Sequence, residues 1–261
     1  MGKVIVVTSG KGGVGKTTVL ANLGIMIATS GRSVCLVDAD VGLNNLDVVL
    51  GVENRIVYDL IDCIEGKCRT SQALLENPLV PNLFVLPCCK IYENKHIEIE
   101  RFDEVINEIK NSFDYILIDC PAGIGSGFYM SIRPADEAMV VVTPHIASIR
   151  DADKVINLLK SNQFKEIKLV VNRIKRDRVL KREMLSVDDV EELLGERVVG
   201  IIPESDELNM FNSFITRGGE FVDYDVKYAF GVMCKNVNTG SMDKYNYLLK
   251  RSRLLSLFKR C

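Results

Sequence analysis

Ten residues near the start of the chain, Ser9-Gly10-Lys11-Gly12-Gly13-Val14-Gly15-Lys16-Thr17-Thr18, gather four glycines, two lysines and two threonines. From Gly10 to Thr17 they satisfy the phosphate-loop spacing G-x-x-x-x-G-K-[ST]. Glycines without Cβ atoms let successive backbone N–H groups curl around a triphosphate. Lys16 is placed to reach the outer phosphates, and the Thr17 hydroxyl to ligate Mg²⁺. The expected nucleotide contacts are therefore Gly10, Lys11, Gly12, Gly13, Val14, Gly15, Lys16, Thr17 and Thr18. An ordinary loop of this kind has no need of a base at position 11. Lys11 either crowds Lys16 on the same phosphates or serves another site's.

Three aspartates complete the chemistry. Asp119 follows the apolar run Tyr115-Ile116-Leu117-Ile118, as a Walker-B acid does, positioned for Mg²⁺ directly or through water. Asp38 and Asp40 follow Ser33-Val34-Cys35-Leu36-Val37 and, two apart on extended backbone, share one face. One suits the metal and the other the attacking water. In Asp119-Cys120-Pro121-Ala122-Gly123-Ile124-Gly125, the Gly123 N–H is placed to sense a γ-phosphate. Asn172, at the end of a later strand, carries an amide suited to an adenine edge.

Strands and helices must bring these residues together, and their signals alternate. Strands are predicted over Lys3 to Thr8, Ser33 to Val37, Leu83 to Pro87, Tyr115 to Ile118, Ala138 to Thr143, Ile167 to Asn172 and Val198 to Ile202. Helices are predicted from Lys16 onward, near Val57 to Ile64, near Ser71 to Leu75, and over Glu100 to Lys110, Ser148 to Leu159 and Ser186 to Leu194. Several strands lack polar alternation, which fits a mostly parallel sheet covered by helices on both faces. The expected fold is α/β, doubly wound, of the P-loop NTPase kind. Ligands in such sheets gather beyond the carboxyl ends of the strands, where Asp38, Asp40 and Asp119 fall.

Composition narrows the class. The 261 residues are 47% apolar and 26% charged, ordinary for a globular chain with a sizeable core. A formal net charge of -2 argues against a surface that coats nucleic acid. Eight cysteines in a chain this long, without C-x-x-C and with two histidines, predict reduced thiols and no zinc or iron–sulfur site. Neither a secretory leader nor a myristoylation pattern is expected at the start, and no run reaches transmembrane length. A single domain over 1–245 with a tail over 246–261 is the expected organisation.

The tail concentrates basic charge: five basic residues and no acid lie between Lys250 and Cys261. On a helix, Leu254, Leu255, Leu257 and Phe258 share one arc, and Arg253, Lys259 and Arg260 lie on the other. A short basic amphipathic helix of this kind suits an anionic membrane interface. One such tail is marginal, since ordering costs ~1–2 kcal/mol per residue. Two tails on one dimer gain by effective concentration.

Lys11 to Thr18 resembles the deviant Walker A motif of the MinD/ParA class of P-loop ATPases, with Lys11 as its signature. Asp38 to Asp47 and Asp119 to Ile124 are similar to switch I and switch II of the class's cell-division branch, and Ile201-Ile202-Pro203-Glu204 matches it too. The likeness is good to about Glu204, loose from Leu208 to Asp243, and returns at the tail. Gly125, Asn44 and His145 depart from the usual residues, as does the segment Cys88 to Glu98. The resemblance implies an ATP-dependent homodimer in which Lys11 acts in trans and Lys16 in cis. Thr17 and Asp38 would serve Mg²⁺, and Asp40 would help activate water. It also implies an ATP hydrolase, weak alone and stimulated by a partner. That ATPase would attach to the cytoplasmic face of the cell membrane on ATP binding and help place the division septum. Expected partners are a MinC-like inhibitor and a MinE-like or alternative topological regulator meeting Arg150, Asp151 and Asp153, with no specific nucleic acid. A ParA-like chromosome or plasmid partition ATPase is the alternative, and it would call for a basic surface on the folded domain.

Overall fold

The computed structural model describes residues 1–40, 45–88, 99–209 and 223–249. The expectations for Asn44, for the segment Cys88 to Glu98 beyond Cys88, and for the tail residues Arg253, Leu254, Leu255, Leu257, Phe258, Lys259 and Arg260 fall outside them.

Among the described residues, eight strands make one sheet: β1 (Lys3–Thr8), β2 (Val34–Asp38), β3 (Leu75–Glu76), β4 (Leu83–Leu86), β5 (Tyr115–Asp119), β6 (Glu137–Val142), β7 (Ile167–Ile174) and β8 (Arg197–Pro203). Their spatial order is β3-β4-β2-β5-β1-β6-β7-β8, and every neighbouring pair is parallel except β3–β4. The central strands are buried along their length, as their unbroken Val/Ile/Leu runs require. Strands β2, β4 and β5 lie on one side of β1, whereas β6 to β8 lie on the other. The order thus reverses at β1, whose carboxyl end opens into the glycine loop.

The helices are α1 (Lys16–Thr29), α2 (Leu46–Leu50), α3 (Leu60–Ile64), α4 (Thr70–Ala73), α5 (Ile99–Ile109), α6 (Ser126–Ile132), α7 (Ile146–Ser161), α8 (Arg176–Leu180), α9 (Val187–Leu194), α10 (Asp206–Asn209) and α11 (Tyr224–Thr239). Two predicted helices are shorter than expected. Val57 and Tyr58 stay outside α3 because Asp59 caps its first turn, accepting from the Asp62 N–H at 3.0 Å. Leu75 leaves α4 to pair antiparallel with Val85 as the start of β3.

Helix α11 is the largest unpredicted element. Asp223 caps it by accepting from the Asp225 and Val226 N–H groups, and Gly240 ends it at φ 73°. Val226, Ala229, Phe230, Met233 and Val237 face inward at helical spacing, packing against β8 and α1. Beyond it, the Asn236 amide donates to Val199 O at 3.0 Å and to Asp243 O at 2.8 Å. Tyr245 is buried in the core, and the Tyr247 hydroxyl accepts from the Val187 N–H at 3.4 Å. The chain thus keeps contact with the body of the molecule past residue 245.

Candidate nucleotide site

The glycine loop follows β1, and its shape is enforced by its neighbours. Gly13 and Gly15 sit at φ 78° and 89°, left-handed backbone that residues with a Cβ rarely adopt. Val14 is buried between them and anchors the loop to the core. Gly15 caps α1 without a side chain, leaving the first-turn N–H groups directed at the hollow of the loop. Space matters as much as φ. A Cβ on Gly10 would lie 2.3 Å from the carbonyl carbon of Asp151 in α7, and one on Gly15 would lie 2.4 Å from Asn172 Nδ2. By contrast, Gly12 meets only Ala122, at 4.0 Å.

Under the loop lies a charged cluster that the sheet register assembles. Asp38 and Asp119 are direct cross-strand partners at the ends of β2 and β5. Both are almost fully buried. Lys16 Nζ, itself buried, is 3.0 Å from Asp119 Oδ1. The Asp40 N–H donates to Asp38 Oδ1 at 3.0 Å, and the Ala39 N–H to Asp119 O at 3.1 Å. The Cys120 N–H donates to Val7 O at 3.1 Å, so the ends of β1, β2 and β5 are tied together.

The cluster holds more negative charge than its lysine balances. Burial pushes the Asp38 carboxyl well above the usual carboxylate range, and the neighbouring charge of Asp119 pushes it further. Half-buried Asp40 is also raised by burial, with Lys16 pulling in the opposite direction. Two adjacent buried carboxylates, one of them paired with a lysine, fit a divalent cation. No group of three or more His, Cys, Asp or Glu side chains forms a metal cage among the described residues. A bound ion would rest on one or two carboxylates, the Thr17 hydroxyl and the phosphates themselves, the usual arrangement for Mg²⁺.

The remaining predicted residues fall around this centre. Thr17 and Thr18 occupy the first turn of α1, half-buried. Gly123 adopts φ 88° in the segment between β5 and α6. Asn172 is buried, and its amide is engaged with the protein itself. Its Nδ2 donates to Val14 O at 2.8 Å and its Oδ1 accepts from the Arg173 N–H at 2.9 Å, leaving one N–H and one lone pair for a base. Lys11 is half-buried and enters no ion pair among the described residues. Arg150 and Asp153 are exposed on α7, while Asp151 lies partly buried against the loop and accepts from Lys154 Nζ at 3.2 Å.

Sequence reasoning missed one wall of the site. A narrow cleft beside the loop is lined by Gly15, Thr18, Asn172, Arg173, Glu204 and Phe230. Arg173 is held at φ 60°, with Nε 3.9 Å from a Glu204 carboxylate oxygen. The strand-end rule applied to β8 would have found Glu204, and the spacing in α11 would have found Phe230. The larger cavity, about 540 Å³ between Tyr129, Arg133, Asp136 and Phe164, lies at the amino ends of β6 and β7, away from this chemistry.

A glycine loop between strand and helix, at the carboxyl end of a reversing parallel sheet and above buried aspartates, defines a P-loop nucleotide-binding protein. Residues 5–213 match the CobQ/CobB/MinD/ParA nucleotide binding domain family. The septum site-determining protein MinD of Thermotoga maritima is 47% identical over 210 residues, covering 80% of this chain and 78% of that protein. In the MinC:MinD cell division protein complex of Aquifex aeolicus, one chain superposes with a TM-score of 0.83 at 42% identity, over 95% of this chain and 98% of that one. MinD of Pyrococcus horikoshii complexed with Mg-ADP gives a TM-score of 0.77 at 28% identity, over 92% and 97%. The chain belongs to the MinD/ParA family of nucleotide-binding ATPases, and within it to the septum site-determining MinD proteins.

Proposed function

We propose that this ATPase binds ATP with Mg²⁺ in the loop and pairs face to face with a second copy. It then attaches to anionic membrane through its tail, recruits division-site regulators and is released by hydrolysis. The observation that carries the reading is the buried cluster Lys16–Asp119–Asp38, short of positive charge, beneath a loop rich in amide N–H groups. Lys16 would exchange Asp119 for the outer phosphates. Thr17 and Asp38, with Asp119, would hold Mg²⁺, which neutralises phosphate charge that develops during transfer. Asp40, half-exposed at the mouth, would orient the attacking water, and Gly123 would meet the γ-phosphate. Asn172 and the cleft beside it would take the adenine.

Lys11 supports the dimer part of this reading. It lies on the loop without an ion pair among the described residues, so a second copy's triphosphate is a fitting partner for it. Hydrolysis would accordingly be slow in the isolated chain and rise with dimerisation and with a stimulating partner. The complex in which the Aquifex aeolicus MinD was solved contains MinC, which supports a MinC-like partner here. Arg150, Asp151 and Asp153 on α7 are the proposed regulator contacts, and a MinE-like or alternative topological regulator is the proposed stimulator. Residence would alternate between cytoplasm and the inner membrane face.

Sedimentation with anionic liposomes under ATP, ADP and no nucleotide tests this, comparing the full chain with one lacking residues 250–261. Binding is expected with ATP and the tail only. Equal binding in all nucleotide states, or binding without the tail, overturns the switch.

A further inference from the structure

We propose that Cys63 and Cys68 are a reversible oxidation site, a thiol pair that a hydroperoxide converts into an intramolecular disulfide. Their Sγ atoms are 3.6 Å apart, in hydrogen-bond contact, where a modest side-chain rotation brings them to bonding distance. Cys63 lies near the end of α3, and Cys68 follows in the turn that leads to α4. Gly66, at φ 72°, reverses the chain between them, and its N–H donates to Cys63 O at 3.0 Å. The turn is further pinned by the Lys67 N–H on Asp62 O at 2.9 Å. The two thiols are therefore held together by backbone geometry.

Their surroundings divide the labour. Cys68 is partly exposed between the basic residues Lys67 and Arg69, open to a solute that carries an O–O bond. Cys63 is buried, and burial, followed by its contact with Cys68, keeps it a neutral thiol. The Cys68 sulfur attacks the hydroperoxide. The O–O bond breaks, one oxygen remains on sulfur as a sulfenic acid, and the other leaves as water or an alcohol. The Cys63 sulfur then attacks the Cys68 sulfur, the S–O bond breaks, and the hydroxyl departs as water with the Cys63 proton. Two thiols have lost two electrons, and the hydroperoxide has gained them. Cys35 and Cys120, fully buried in the core, are shielded from the same reagent. None of the residues placed at the nucleotide site takes part.

The test uses the full chain, reduced and then given a small excess of hydrogen peroxide. Free thiols are blocked, and the digest is mapped by mass spectrometry without reduction. Trypsin cuts after Lys67 and Arg69, so the bond appears as two separate peptides joined through Cys63 and Cys68. Dithiothreitol is expected to abolish that product. In Cys63→Ser, dimedone labelling of Cys68 is expected to rise severalfold over the wild type, because the sulfenic acid has lost its resolving thiol. In Cys68→Ser no product forms at Cys63. The proposal is overturned if both thiols stay unmodified at a dose that oxidises other cysteines, or if Cys68 joins a different one.

Discussion

Replacing Asp38 by Asn should stabilise the nucleotide-free protein while removing Mg²⁺-dependent nucleotide binding. Asp38 is 1% exposed and stands opposite Asp119, whereas Lys16 closes on Asp119 at 3.0 Å. At the ~4.8 Å spacing of adjacent strands and an effective dielectric of ~20, two like charges cost ~3 kcal/mol. The hydrogen bond from the Asp40 N–H offsets part of that, and the burial of a charged carboxyl adds to what remains. The net gain from Asn is about 1–3 kcal/mol, or ~2–6 °C in Tm for a chain of this size. Its side-chain oxygen can still accept from the Asp40 N–H, and its NH₂ can donate to Asp119. The pH dependence has a definite sign. Because the folded-state pKa of Asp38 is raised, its stabilising contribution is present below the unfolded value and is lost as pH rises through the folded value. The Tm difference between Asp38→Asn and wild type should therefore grow as pH rises from about 4, the reference carboxylate value. Scanning calorimetry of the nucleotide-free proteins at several pH values measures it. A variant with equal or lower Tm at pH 7.5, or a difference that shrinks with rising pH, refutes the electrostatic reasoning.

Removing Lys16 acts in the opposite direction. Lys16→Ala leaves Asp119 buried without its cation, and urea unfolding should report a loss of about 3 kcal/mol. Gly10→Ala puts a methyl group into the Asp151 backbone, so equilibrium dialysis should show at least a tenfold weaker nucleotide affinity, with a lowered Tm. The Asp38 pKa is raised, and its carboxyl must be ionised to hold Mg²⁺. Mg²⁺·nucleotide binding should therefore release protons and tighten as pH rises, measured by titration calorimetry in buffers of different ionisation enthalpy. Proton uptake would contradict this. Lys11→Ala should keep nucleotide but lose ATP-dependent dimers in light scattering.

The phosphate loop was legible because its chemistry is local: spacing, lysine, threonine and strand–helix context lie within thirty residues. Asp38 and Asp119 were legible as strand ends, but their direct register was not, since pairing between residues 81 apart is settled by the whole sheet. Asn172 illustrates the limit. Its position at the end of β7 could be read, yet its bond to Val14 O could not, because that depends on how closely Gly15 lets β7 approach. The spacing of Val226, Ala229, Phe230, Met233 and Val237 carried α11 in plain sight, between capping residues Asp223 and Gly240. The family likeness is loose over that stretch, while the helical pattern itself is sound. The two-residue β3 exists through its pairing with β4, and α8, five residues long with none buried, has no periodicity to read.

Helix α7 is the floor on which the phosphate loop stands. No atom can be inserted between Gly10 and the Asp151 backbone, so a displacement of that helical turn by half an ångström must be taken up by the loop. Arg150 and Asp153, exposed to solvent, belong to the same turn. A load applied from outside therefore reaches the phosphate grip through stiffness, across the thickness of one backbone.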